Sequence, residues 1–575
     1  MHNKKSSVWR VVFIAAALGL LAWAFLKPPS PASSSRGKEA SSSSLAAMPL
    51  EVGMVLEEKE AWGRDEALHV QLEGNPRIDW SKTELWAGEG RQHRATRTDC
   101  PQSLPAKPHA ECFGIQLSAL PDLPHGKHVL HLEAVLQDKA QNQATQSRDM
   151  DIHISRRLWT LPILAYGNVV TREGLLLFVT HEPTGFPQFL VALQADGKEK
   201  WRAKYTSVEF QGLWLGNHRG RDVVLADCSY HAEDDGGAEL MHSGIYVYDA
   251  KTGEALVSCD NPKSAGHLTL LQGGPDKDLV FARRIFISLN TSALEACRLD
   301  LTAKDLADKS FRCTSTKSPT QFGNLFARQD APVVKLFQAS HTRHWCALTW
   351  SDTEGFGPHC QEKGPAGRNM TNAHAMLLGL NHMWVSYEES SKRAWGETWV
   401  RSLGLSAEAK AFAPVSLSEM LPELVDANDE LIATAKGDML RRFSADGKLL
   451  FQKEISTSGL ALMEGGHLVA IDKKQGLLWL KPDFSEAWAM PTSMHNDGLM
   501  GVMPTSPTRS VVVVSHSEEG EKKWERKYYL TGVLVDSPGL KKDAPWPIDG
   551  HDLCRSNNVS VPVDNCWDGP KPFLP

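Results

Sequence analysis

The stretch FLVALQADGKEKW at residues 189–201 is the feature that most constrains the chain. An alternating apolar run leads into Ala-Asp-Gly, and a charged run then closes on Trp201. Alternation of period two is the mark of a strand, and Asp-Gly supplies the positive φ that a tight hairpin needs. The pattern recurs. IYVYDAKTGEALVSC (Ile245–Cys259) and MLRRFSADGKLLFQKEI (Met439–Ile455) repeat it closely. Looser copies begin at Ile285, Cys346, Trp399, Leu477 and Tyr528. The eight candidate turns fall near 196, 251, 291, 352, 404, 446, 483 and 533. Spacings of roughly 40–60 residues suit four-stranded propeller blades with variable loops. Eighteen tryptophans fit a demand for bulky side chains between adjacent sheets. Polar-turn-then-strand segments precede several hairpins, at Gly220–Cys228, Pro275–Arg284 and Ala427–Asp438, and are expected to be the inner strands of their blades. SAEAKAF (Ser406–Phe412) and SLSEMLPEL (Ser416–Leu424) read as short helical exceptions. Residues 156–555 are therefore expected to form a β-propeller of seven or eight blades, with eight favoured by the count.

The N-terminus is of a different kind. Lys4, Lys5 and Arg10 precede sixteen uncharged residues, Val11–Leu26, which Lys27-Pro28-Pro29 ends. A basic flank before an apolar run directs export. The run fits either a cleaved signal, with Ser30-Pro31-Ala32 as a small-residue site, or a short uncleaved helix held with its basic end in the cytoplasm. Residues 1–27 are thus a signal peptide or anchor. Residues 28–49 are rich in Ser and Pro and read as a flexible tether.

Ten cysteines speak to compartment: Cys100, Cys112, Cys228, Cys259, Cys297, Cys313, Cys346, Cys360, Cys554 and Cys566. Taken in order they form five local pairs, 12, 31, 16, 14 and 12 residues apart. Zinc sites and thiol redox enzymes favour Cys-x-x-Cys, which is absent from the sequence. Sequential disulfides in an oxidising space outside the cytoplasm are expected.

The repeats LVALQADGKEKW and IYVYDAKTGEALVSC resemble those of pyrroloquinoline-quinone-like (quinoprotein-like) β-propellers, whose form is a strand, Asp-Gly or Asp-x-x-x-Gly, then Trp. APWPIDGHDLCRSN (Ala544–Asn557) resembles the closing segment of bacterial propellers of this type. The resemblance implies that this segment finishes the ring, with Cys554 and Cys566 stapling a tail of residues 556–575. It specifies fold and leaves activity open. Residues 50–155 read differently. Within Leu120–Ile154, Val129, His131, Glu133 and Val135 alternate with Leu130, Leu132, Ala134 and Leu136. A turn at Asp138–Asn142 then leads into a final strand. This wording resembles the end of bacterial immunoglobulin-like domains, which implies a β-sandwich acting as spacer or adhesion module. Cys100 and Cys112 lie too close for an inter-sheet bridge and should pin a loop.

The chemistry carried by such folds leaves little trace. Quinoprotein alcohol dehydrogenases resemble one another in a Cys-Cys cap over the cofactor, and the sequence has no Cys-Cys, so no cofactor is expected. Ser444–Phe451 departs from the sialidase box Ser-x-Asp-x-Gly-x-x-Trp in its Gly spacing. The acidic loop His231–Glu239 lacks the regularity of a calcium loop. His341 and His344 fall on opposite faces of a strand, and Val425–Glu430 reads as a turn. Phosphate-loop, Gly-x-Ser-x-Gly and His-Glu-x-x-His motifs do not occur. A net charge of −7 over 575 residues argues against a nucleic-acid binder. The expectation is an all-β, non-enzymatic scaffold without metal or catalytic residues, exported into a bacterial envelope and anchored to the membrane if its leader is kept. Its partner there would be a protein. The alternatives are a hydrolase or lyase, or a sugar- or metal-binding sensor, working at the propeller mouth.

Overall fold

The computed structural model describes residues 50–575 except 64–65, 105–106, 121–122, 182–187, 206, 208–211, 234–238, 259–267, 289–290, 303–309, 318–324, 331–332, 340–344, 358–360, 363–369, 390–397, 405–419, 436–437, 493–494, 521–524, 550–551, 553, 557, 559, 564–565 and 567–575. The expected leader (1–27) and tether (28–49) lie outside the described residues. Among the described residues no helix is long and apolar enough to cross a membrane.

Residues 50–155 form two sheets, one of four strands and one of five. Gly126–Gln137 pairs in long register with Gln143–Ser155, and Leu130, Leu132, Ala134 and Leu136 all point inward. Val129 on the other face is 67% exposed. Strand alternation therefore sorts the residues as the sequence implies. At the connecting turn the Asp138 carboxylate accepts the Asn142 N–H at 2.8 Å, and Gln141 takes a left-handed φ of 69°. One core from Val52 to Ile154 lies between the two sheets. The Cys100–Cys112 disulfide ties Ala110–Gln116 to the loop that follows its neighbour Thr96–Thr98.

From residue 157 to 535 the described residues form eight antiparallel sheets. The first runs Ala165–Val170, Leu176–His181, Gln188–Leu193, Glu199–Tyr205 in spatial order. The next seven begin with Leu213–His218, Thr269–Gln272, Leu325–Asp330, Met370–Leu378, Met420–Val425, Thr457–Leu462 and His495–Ser506. Most of these leading strands touch the next in turn, the second and third sheets meet at the His218–Gly274 bridge, and Arg328 of the fourth reaches Leu380 O beside the fifth at 3.5 Å. Ala165–Val170 touches both Leu213–His218 and His495–Ser506, so the series closes on itself. Six of the eight sheets have four described strands, the fourth has five and the fifth three, and a closed ring of such sheets is a β-propeller. The segments beginning at Gly220, Pro275 and Ala427, expected to be inner strands, supply the second strand of their sheets instead. The inner strands are the shorter ones before them, such as Leu213–His218, whose six residues are all buried. Met420–Leu424, expected to be helical, belongs to an inner strand that pairs with Leu431–Ala435, with Leu424 and Val425 buried.

The turn residues also explain how sheets attach to each other. In the first sheet the Gly197 N–H reaches Gln194 O at 2.9 Å with φ 81°. A Cβ at Gly197 would come within 2.7 Å of Trp159, which belongs to the eighth sheet and donates its indole N–H to Ala195 O at 2.8 Å. In the second sheet a Cβ at Gly253 would come within 2.5 Å of Trp201 from the first. Asp249 builds that turn by accepting the Lys251 and Thr252 N–H groups at 3.0 and 2.8 Å. The Asp-Gly turn thus leaves bare backbone on which the tryptophan of the preceding sheet lies.

Ring closure departs from expectation twice. The eighth sheet takes Arg157–Leu161 as its outer strand, paired with Arg526–Val535. No hairpin turn falls near 533, because residues from the start of the chain already hold the place of a fourth strand. The segment Ala544–Asn557 does not finish the ring. It crosses it. Leu540, Trp546 and Ile548 bridge to Met463, Val425 and Ala461 in the seventh and sixth sheets. Cys554 O then accepts the Leu215 N–H at 3.0 Å and Ser556 O the Leu270 N–H at 2.9 Å, in the second and third sheets. Asn558 bridges to Ala327 in the fourth. The tail therefore satisfies inner-strand backbone groups on opposite sides of the channel, and Cys554–Cys566, both fully buried, fastens its end.

Candidate functional site

Beside this crossing tail lies a cavity of about 790 Å³. Its walls come from the inner strands of the first, sixth, seventh and eighth sheets, from the second and third strands of the eighth, and from Ile548, Asp549, Asp552 and Arg555 of the tail. Each of those four inner strands breaks register where it lines the cavity. The breaks fall between Tyr166 and Val169, between Pro422 and Leu424, between Thr457 and Gly459, and between Leu499 and Gly501. A bulge leaves a residue out of the ladder and turns its side chain to a new direction. Pro422 contributes by bringing no N–H to the ladder.

Glu423 is the residue released by the bulge in the sixth sheet. Its carboxylate accepts the Thr434 hydroxyl at 2.8 Å. Burial pushes its carboxyl up to about 7, against that hydrogen bond, and the neighbouring Asp549 carboxylate adds to the rise. Asp549 itself holds Arg555 at 3.0 Å. Asp552 is committed to the tail, where it accepts the Cys554 and Ser556 N–H groups at 2.8 and 3.1 Å. Also on the cavity wall, His516 shares a hydrogen bond with Thr531 Oγ1 at 2.8 Å and stacks on Tyr529 with ring centroids 5.4 Å apart. Tyr166 is 40% exposed, and burial with its neighbour Tyr528 raises its hydroxyl pKa. Arg526 stands exposed at the rim. The cavity thus combines the half-buried Glu423, the buried Asp552 held by the tail, aromatic rings and a wall of backbone.

The sequence reading did not find this site. Glu423 sits in the segment read as helical, and only Pro-Glu inside a strand signals a bulge. The cysteines instead prove structural where described. Cys100–Cys112, Cys297–Cys313 and Cys554–Cys566 are disulfides. Cys297 and Cys313 face each other on neighbouring strands of the third sheet. The pairings expected of Cys228 with Cys259 and of Cys346 with Cys360 involve residues outside the described ones. Two groups with metal-ligand atoms occur among the described residues, Glu295/Cys297/Cys313 and Asp552/Cys554/Cys566. In both, the sulfurs are joined to each other and offer no thiolate. Val425–Glu430 is a turn in which Asp426 accepts the Asn428 and Glu430 N–H groups at 2.8 and 3.0 Å. Ser444–Lys448 is a hairpin turn, with Gly447 N–H bonded to Ser444 O at 2.8 Å. His341 and His344 lie outside the described residues, as does the centre of the acidic loop His231–Glu239.

No known family model matches the chain, and no curated protein matches it. Among solved structures, it is similar to BamB from Moraxella catarrhalis at 11% identity, over 64% of this chain and 97% of that one, with a TM-score of 0.35. It is similar to one of two prolyl endopeptidases studied for inter-domain dynamics at 9% identity, over 63% and 54%, with a TM-score of 0.33. It is also similar to regucalcin, a calcium-binding protein from Agrobacterium tumefaciens, at 11% identity, over 44% and 90%, with a TM-score of 0.24. Similarity at this level transfers no activity.

Proposed function

We propose that the chain is a non-enzymatic scaffold of a bacterial cell envelope, an eight-bladed propeller of the quinoprotein-like kind carried on an immunoglobulin-like sandwich. The outer strand Leu449–Glu454 of the sixth sheet carries the proposal. Leu449, Leu450 and Phe451 follow one another there and are 43%, 37% and 39% exposed. Among the described residues its only strand partner is Met439–Phe443. The outer edge of the first sheet, Glu199–Tyr205, instead carries charge along its length with Glu199, Lys200, Arg202 and Lys204. Charge blunts an edge, whereas an apolar edge invites a partner strand. We assign this edge to docking of an envelope protein. Three buried or strand-linked disulfides favour an oxidising compartment. The N-terminal run Val11–Leu26 gives the means of export or anchoring.

The test is native mass spectrometry of the full chain purified gently from its own envelope. A co-purifying protein that is lost in the Leu449→Lys/Leu450→Lys variant supports the assignment. Retention of that protein by the variant, or isolation of the chain with a turned-over small substrate and no protein, overturns it.

A further inference from the structure

Glu423 presents a problem that the scaffold reading leaves untouched. It is a half-buried acid on the cavity wall, and among the described residues it has no cationic partner. Its one hydrogen bond is to a neutral hydroxyl. The two arginines of the cavity are placed elsewhere, Arg555 on Asp549 and Arg526 at the exposed rim. A carboxylate drawn partly out of water favours a proton or a cation beside it. Bulges in four strands hold open the space in front of it, and bulges that re-aim side chains gather beside binding sites. The space also holds the rings of Tyr166, Tyr528 and Tyr529. At about 790 Å³ it lies in the size range of small-molecule pockets.

We propose that this cavity binds an organic cation, an ammonium or guanidinium group paired with Glu423 and lying against the tyrosine rings. The electron-rich faces of aromatic rings attract such cations, and a carboxylate fixes the charged end. A metal ion fits less well. Among the described residues no group of three ligand atoms at coordination spacing includes Glu423. Asp549 is the second acid facing Glu423, and it remains tied to Arg555, so the cation's contact falls to Glu423. The tail supplies one wall, which makes the cavity a pocket where an uncrossed ring would leave an open channel. The ligand enters as a free amine or as a basic side chain presented by a protein.

Calorimetric titration of the full chain at a pH above the Glu423 transition tests this. The probes are spermidine and N-acetyl-lysine methylamide, with the neutral N-acetyl-norleucine methylamide as the comparison. At least one cation should bind, and the neutral compound about tenfold more weakly or not at all. Glu423→Gln should weaken the cation about tenfold or more. Tyr166→Leu should weaken it several-fold, and Tyr166→Phe should restore it. Glu486→Gln, on the outer strand of the seventh sheet, should change nothing. Preference for spermidine identifies a free polyamine as the source, and equal or better binding of the lysine compound identifies a basic side chain; both support the site. Absence of binding by either cation at roughly 10 mM overturns the proposal, as does equal binding of the neutral compound or of the Glu423→Gln variant. The Leu449→Lys/Leu450→Lys variant should keep cation binding, which separates this site from the docking edge.

Discussion

The guanidinium of Arg156 lies 5.1 Å from the ring centroid of Trp488, in the one place of the ring where the chain is broken between third and fourth strands. In the first and second sheets the tryptophan of the preceding sheet lies on the glycine of a turn. The eighth sheet has no such turn, since its outer strand starts the propeller and its third strand ends it. Arg156 fills the gap. It is buried at 2% exposure and donates to Asp536 at 2.6 Å and Leu123 O at 2.7 Å, with a third bond to Leu534 O at 3.3 Å. One side chain thereby joins the sandwich, the seventh sheet and both ends of the propeller. Arg156→Met should cost about 2–4 kcal/mol, because the acceptors lose their donor within the protein. Chemical denaturation should show it, together with faster proteolytic cleavage between sandwich and propeller.

The acid in the cavity predicts an unusual pH dependence. Glu423 in the folded protein holds its proton up to about 7, above its ordinary 4.5. Its contribution to stability is therefore complete below pH 4.5 and is lost as pH rises through 7. Glu423→Gln should flatten that slope and make the protein more stable at pH 8 by about 1–2 kcal/mol, after allowing for water in the cavity. Melting midpoints between pH 5 and 8, measured without added cation, give the comparison. A bound cation should restore stability to the wild type alone.

The contact between Trp201 and Gly253 should be readable as a coupling. Gly253→Ala meets both a φ of 76° and the indole of Trp201, so a loss of about 2–3 kcal/mol is expected. In a Trp201→Leu background the same change should cost about 1 kcal/mol, the backbone part alone. The double-mutant cycle measures the difference.

The disulfide at the tail should control how firmly the channel is crossed. Replacing Cys554 and Cys566 by Ser should cost about 3 kcal/mol, as for a loop of this length. Hydrogen exchange gives the specific reading. The Leu215 and Leu270 amides, bonded to Cys554 O and Ser556 O, should lose protection before the rest of their sheets.

Much of the fold is legible because its signals are local. The alternation of Leu130, Leu132, Ala134 and Leu136, the turn at Asp138–Asn142 and the Asp-Gly hairpins each depend on residues a few positions apart. Even the role of Trp201 follows from its place after a turn. The errors arise where a short pattern is ambiguous. Met420–Leu424 carries a spacing that suits a helix or a strand, and five residues do not decide between them. The cavity was illegible for the same reason, since a bulge is a register relation between two strands and leaves only Pro422 as a trace.

The sequence by itself determined the kind of unit, a twisted hairpin with a glycine turn and a bulky side chain after it, and the local pairing of Cys100 with Cys112, Cys297 with Cys313 and Cys554 with Cys566. Periodicity and turn chemistry act over a few residues and are written there. Only the tertiary structure decided how the units close. Arg157–Leu161 and Arg526–Val535 become partners, the tail crosses the channel, and Arg156 meets Asp536 across 380 positions of chain. Those choices come from backbone groups and buried charges that must find partners once the ring has formed, and no residue can specify that before its neighbours in space exist.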